Sequence, residues 1–228
     1  MLTFQDIVGH QGPIELLQRA VRHDRLHHAY IFVGPEGTGK RTVATALTGA
    51  VQCSTDGGDA CGACPSCRHI DDRSHPDVHW LEPRKGKRDI TIEQVRELQR
   101  ELVLHRFSGA KKIAIIGPLT RMNLHAQNAL LKTLEEPPPH VKFLLATTDP
   151  QKLPITILSR CLQFNLKAMS REQIVGQLSH ILEHEQLPFE PQALALLARA
   201  AQGSMRDALS LTDQAIAQGG NQVLASVV

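Results

Sequence analysis

Two clusters of residues have types and spacing that can do chemistry. The first is "GPEGTGKR", Gly34 to Arg41, which follows the phosphate-loop pattern G-x-x-x-x-G-K-[ST] up to its last position. Gly34, Gly37 and Gly39 let the backbone curl so that its N–H groups face phosphate oxygens, and Lys40 would reach the β- and γ-phosphates. The pattern ends in a Ser or Thr whose hydroxyl holds Mg²⁺, and Arg41 stands there instead. Thr42 carries a hydroxyl one residue on, but about 100° further around a helix. The second cluster is "CSTDGGDACGACPSC", with Cys53, Cys61, Cys64 and Cys67 in C-x7-C-x2-C-x2-C spacing. Four thiolates in one short loop suit a closed, tetrahedral Zn²⁺ site, structural because no coordination position is left for a substrate.

Metal-assisted hydrolysis also needs acids at the end of a buried strand, one to support Mg²⁺ and commonly another to polarise water. The strand placed to do this is "KKIAIIGPLTRMN", which ends in Gly117 and Pro118. No acid but Asp149, after the next strand, is read as ending an apolar run nearby; it precedes Pro150 and reads as a turn residue. Hydrolysis through a metal is therefore not expected of this chain. Arg160, within "LSRC", follows an apolar run and fits either a charge-stabilising finger or a surface arginine. Arg206, near the start of the last helix, is uninformative by spacing. "RKGKR", Arg84 to Arg88, reads as a solvated loop, His27 and His28 as packing or capping, and Cys161 as a small buried residue.

The composition sets bounds around these clusters. In 228 residues, 42% hydrophobic and 21% charged, a sizeable core can be buried. A net charge of +2 argues for neither nucleic acid nor membrane. No apolar run reaches the roughly 18 residues of a membrane span, and "MLTFQDIVGH" has no signal-peptide core, so a cytoplasmic protein with reduced cysteines is expected.

The elements that must position the clusters follow from periodicity. Pro13 opens a helix with Ile14, Leu17, Ala20 and Val21 at helical spacing. "HAYIFVG" is a buried strand that runs into the phosphate loop, and a helix from Arg41 to about Val51 follows, the context such a loop requires. "DVHWLEP", "KKIAIIG" and "VKFLLATT" are further strands. A helix from about Ile92 to His105 starts with a Thr91–Gln94 capping box, and another spans Asn123–Leu134. Strands alternating with helices predict a parallel, doubly wound sheet. From Leu166 onward three helical stretches and no strands are expected, opening at Ser170 with Gln173, near Pro191, and at Ser204 with Asp207. The predicted class is α/β, with a sheet domain over residues 1–165, a zinc module at about 53–67, and a helical lid over 166–228.

"NALLKTLEEPP", "LSRC" and "GSMRDALSLTDQAIA", together with the four-cysteine insertion, resemble the bacterial DNA polymerase III clamp-loader subunits, which are AAA+ proteins with a P-loop. The resemblance covers essentially the whole chain. "LTFQDIVGHQ", "GPEGTGKRT", "SHPDVHWLEP" and "KGKRDITIEQVREL" are more like the delta-prime subunit, whereas residues from about Asn128 to Gln218 are more like gamma/tau. A natural hybrid and an engineered fusion both fit this mixture. The family's helical collar domain has no counterpart before Val228.

The resemblance implies roles residue by residue. Lys40 matches the phosphate-loop lysine, and Thr148, with Thr147 as the alternative, matches the strand end that senses the γ-phosphate. Arg160 matches the finger presented to an adjacent subunit, and Arg206 the lid arginine on bound nucleotide. Val8 and Gly9 lie where the family edges its adenine pocket, and the four cysteines match its zinc ligands. ATP is the implied nucleotide; Arg41, Gly117 and Pro118 depart from the pattern and remove the Mg²⁺ support. The expected role is a delta-prime-type scaffold working with other clamp-loader subunits, a sliding clamp and primer–template DNA. The rival readings are an ATP-hydrolysing gamma/tau-type motor and a zinc-stabilised DNA-binding module using Arg84 to Arg88.

Overall fold

The protein is described from a computed structural model over residues 1, 3–55, 57–104 and 111–228. It divides into two compact units. One comprises residues 1–7, 11–33 and 40–165; the other comprises 8–10, 34–39 and 166–228. The phosphate loop and the segment around Gly9 group with the helical unit.

The sheet unit is a five-stranded parallel sheet. Its strands are β1 (Ala29–Val33), β2 (Val78–Leu81), β3 (Lys112–Ile116), β4 (Val141–Thr147) and β5 (Leu162–Asn165), in the order β2-β3-β4-β1-β5. Side chains alternate across each strand. Ala29, Ile31 and Val33 of β1, Ala114 and Ile116 of β3, and Phe143 and Leu145 of β4 all enter one apolar cluster. That cluster also takes Val95, Leu98 and Leu102 from α4 (Ile92–Val103) and Ala126, Leu130 and Leu134 from α5 (Leu124–Glu135). The alternate residues Tyr30, Phe32, Ile113 and Leu144 are also buried, so the central strands are covered on both faces. This is why they read as unbroken apolar runs.

This unit also contains α1 (Gln11–Arg22), α2 (Lys40–Gln52), α3 (Pro65–Asp71) and the short α6 (Ile155–Leu158). Pro13 sits in the first turn of α1, where its missing N–H costs nothing. The Thr91 capping box is formed in both directions, with Thr91 Oγ1 accepting from the Gln94 amide and Gln94 Oε1 from the Thr91 amide. The expected end of α4 at His105 lies outside the described residues. Some elements differ from the sequence reading, the short helix α6 among them. Strand β5 was not expected, and α3 lies partly within what read as a cysteine loop.

The helical unit is built on α7 (Arg171–His184), α8 (Pro191–Ala200) and α9 (Met205–Gln218). Ile174, Leu178, Leu182, Leu194, Leu197 and Ala208 form its core. Ser170 and Gln173 close the capping box of α7, and Ser204 caps α9 by accepting from the Asp207 amide at 3.3 Å. Extended pairing among its described residues is limited to the isolated bridge between Phe189 and Val223.

Candidate functional site

The phosphate loop is packed into the helical unit so closely that glycine is required. A Cβ at Gly34 would meet the Leu166 carbonyl oxygen, and Gly37 has φ +70° with its open side against the Ser204 side chain. The Gly37 carbonyl accepts from the Met205 amide at 3.2 Å. That contact binds the loop to the first residue of α9 and sets the exposed Arg206 one residue beyond it. Thr38, 2% exposed, braces the turn by donating from Oγ1 to the Pro35 carbonyl at 2.9 Å. His10 Nε2 lies 3.0 Å from the Thr38 carbonyl, and Gly9 faces the Gln173 side chain. Val8, Gly9, Gly34, Gly37, Gly39 and Arg206 thus belong to one compact unit.

Lys40, Arg41 and Thr42 open α2 in the sheet unit. The Arg41 guanidinium is held by Glu82: Nη2 to Oε1 is 2.8 Å. It also lies over the Trp80 ring, 5.2 Å from the centroid, with the Arg73 guanidinium on the same ring at 4.8 Å. Arg73 reaches the other Glu82 oxygen at 3.5 Å. Glu82 corrects the reading that Asp149 was the acid ending an apolar run nearby. It directly follows β2, and β2 pairs with β3 so that Leu81 stands opposite Ile116. The acid therefore ends the strand beside the one that closes in Gly117. Its signal was present as the "LEP" after "VHW", but strand order cannot be read from the sequence.

Asp149 is a turn residue, its carboxylate accepting from the Gln151 amide at 3.0 Å. Thr147, fully buried, donates from Oγ1 to the Asp149 carbonyl, whereas Thr148 lies just past the end of β4 and is only partly buried. Arg160 follows the short helix α6 (Ile155–Leu158), with Nη2 2.9 Å from Glu135 Oε1 and Nη1 donating to the Thr156 carbonyl at 2.7 Å. Arg84 pairs with Glu97 at 2.6 Å. His27 and His28 stack with centroids 4.2 Å apart, a packing role. Cys161 is buried in the core, and burial pushes its thiol up to about 12.

The four remaining cysteines converge, their Sγ atoms all within 4.8 Å of one another. Zn–S bonds of about 2.3 Å put tetrahedral sulfurs roughly 3.8 Å apart, and the Cys53 and Cys64 sulfurs are already at 3.9 Å. The amides of Cys61, Cys64 and Cys67 point at the sulfurs of Cys53, Cys61 and Cys64, at 3.3, 3.3 and 3.5 Å. Such N–H···S contacts favour thiolates. At Cys64 burial raises the thiol, but amide hydrogen bonds from Ser54 and Cys67 outweigh it and bring it down to about 6. Burial pushes Cys67 up to about 12. The donor set, its spacing and its amide support fit a tetrahedral zinc ion. The cysteine loop is also tied to the start of the chain: Asp59 Oδ1 accepts from the Phe4 amide at 3.0 Å, and the terminal ammonium of Met1 pairs with Asp71.

A family model described as DNA polymerase III, delta subunit, matches residues 9–170. The chain belongs to this family. Beyond the delta-subunit match, a second model, described as DNA polymerase III clamp loader subunit, ATPase lid domain, matches residues 173–221. This delta-family chain is 48% identical to the DNA polymerase III subunit tau of Escherichia coli over 227 residues, 99% of the chain and 35% of that protein. The chain spans about a third of the length of the tau proteins it matches. Among solved structures, the Thermotoga maritima RuvB Holliday junction branch migration motor matches with a TM-score of 0.69 at 15% identity, covering 99% of this chain and 69% of that one. A DNA polymerase III gamma subunit-related protein of the same organism matches with a TM-score of 0.55 at 22% identity, covering 87% and 61%. These likenesses identify the fold as the P-loop AAA+ type, a parallel sheet domain followed by a helical lid. Among the described residues, no helix is long and apolar enough to cross a membrane.

Proposed function

We propose that this chain is a clamp-loader subunit of delta-prime type: a scaffold that binds nucleotide phosphate without productive metal chemistry and lends Arg160 to a neighbouring subunit's ATP site. The observation that carries this reading is the ion pair between Arg41 and Glu82 beside a β3 strand that is followed by Gly117 and Pro118. Where a metal-dependent site has a hydroxyl and two acids, this one has a cation already paired to a carboxylate. Gly34, Gly37, Gly39 and Lys40 keep the phosphate cradle, and Arg206, Thr148, Val8 and Gly9 would contact the bound nucleotide. The four clustered cysteines hold structural zinc. The partners are other clamp-loader subunits and, through them, a sliding clamp and primer–template DNA, in the cytoplasm.

Steady-state phosphate release tests this reading. The purified chain is expected to show no turnover above background, and Lys40→Ala to change nothing. Substantial turnover that Lys40→Ala abolishes would establish the rival, a gamma/tau-type motor. One observation favours that rival, the 48% identity to tau over 227 residues. The DNA-binding reading is weakened at Arg84, which is paired with Glu97.

A further inference from the structure

The Arg41–Glu82 pair spans a distance that a hydroxyl at position 41 would not. Neighbouring strands lie about 4.8 Å apart, and Glu82 directly follows β2, one strand outward from the Gly117 end of β3. In this sheet the carboxylate is displaced by one strand and the side chain on α2 is longer to match. At Gly117 a side chain would be crowded: a Cβ there would lie 3.0 Å from Ala146 Cβ and 3.2 Å from the Ala146 carbonyl oxygen, so an acid would need Ala146 to give way by a few tenths of an ångström. The Arg41 guanidinium is fixed from two sides, by Glu82 at 2.8 Å and by the Trp80 ring. Arg73 holds the same carboxylate and the same ring, so Glu82 is itself held in place. A guanidinium stays protonated throughout the physiological range, so this cation needs no metal supply.

We propose that Glu82 is the positioning residue that makes the nucleotide site independent of divalent metal. It holds Arg41 as a fixed internal cation and, being occupied by it, is withheld from Mg²⁺. The ligand class is a nucleoside triphosphate bound through its phosphates without a metal ion. This rests on the reading above that the loop still cradles phosphate. Two consequences distinguish Glu82 from a surface acid. With Arg41 replaced by threonine, a hydroxyl and a carboxylate oxygen released from Arg41, its other oxygen still on Arg73, stand ready to support a metal. With Glu82 neutralised, Arg41 loses its anionic partner and keeps only the Trp80 ring, which leaves its charge available to phosphate.

The test is calorimetric titration with ATPγS, in magnesium and in EDTA, of the wild-type protein, Arg41→Thr, Glu82→Gln and the double variant. The wild type is expected to bind equally in both buffers. Arg41→Thr is expected to bind at least about tenfold more tightly in magnesium than in EDTA, about 1.4 kcal/mol. The double variant is expected to lose that gain, and Glu82→Gln to bind several-fold more tightly than wild type in EDTA. Magnesium indifference in Arg41→Thr, or an equal gain in the double variant, would overturn the proposal while leaving phosphate binding by the loop intact. Should Arg41→Thr fail to fold by circular dichroism, Glu82→Gln decides alone, an unchanged affinity in EDTA overturning the proposal. Absence of binding by every protein, wild type included, overturns the phosphate-cradle reading itself and this proposal with it.

Discussion

Arg160→Ala is expected to slow ATP turnover by a neighbouring subunit by about 10³-fold or more in a reconstituted clamp-loader complex, because a finger arginine in trans carries an effect of that size. Neutralising charge on the transferring phosphoryl group requires a guanidinium free to cross to another subunit. In the isolated chain that group is bound to Glu135 at 2.9 Å and to the Thr156 carbonyl at 2.7 Å, with the side chain 33% exposed. The Thr156 bond orients the fork, and the Glu135 bond must be exchanged for phosphate oxygens on assembly. Both pairings are at the surface, so the exchange costs little. Arg160→Lys keeps the charge but loses the planar fork, and is expected to restore only a small part of the rate. The readout is phosphate release by the complex at saturating ATP, with assembly checked by gel filtration. A fall of less than about threefold would remove Arg160 from the neighbour's site, since a single transition-state contact is worth more than that.

Replacing Cys64 with serine is expected to abolish zinc binding, measured as about one zinc per wild-type chain by mass spectrometry of the metal. Structural zinc contributes roughly 10–16 kcal/mol of binding free energy in peptides that cannot fold without it. The apolar cluster between the sheet, α4 and α5 contains none of these four cysteines, so only a part, on the order of several kcal/mol, is expected as lost stability. The loss should be local first. Asp59 and Asp71, inside and just after the cysteine loop, hold the Phe4 amide and the terminal ammonium. Protection of the first residues from hydrogen exchange is therefore expected to fall together with the metal. A serine variant that keeps its zinc, or loses it with no change in exchange at Phe4, would contradict this coupling.

Much of this is legible in the sequence, for local reasons. The capping boxes at Thr91 and Ser170 are set by residues three apart, and both are formed. The strands that are covered on both faces announce themselves as apolar runs. Strand β5 did not, because it is a four-residue edge strand in which Leu162, Gln163 and Asn165 are exposed and Phe164 alone is buried. Helix α3 was hidden inside the metal spacing. Pro65 takes its first turn and Cys64 caps it by accepting from the Cys67 amide, so the C-x2-C interval is itself the helix start. The cysteine cluster needed only proximity along the chain. Glu82 needed strand order, which is a non-local fact, and so the residue that holds Arg41 was missed although Arg41 itself stood out.

The most direct measurement is the titration of the unmodified protein with ATPγS, first in magnesium and then in EDTA. Binding of equal strength in the two buffers is the predicted result: the glycines and Lys40 still cradle phosphate, and Arg41, Gly117 and Pro118 have taken the metal out of the site. Binding that is tight in magnesium and lost in EDTA would contradict it, return a divalent ion to the site, and make this chain a motor rather than a scaffold.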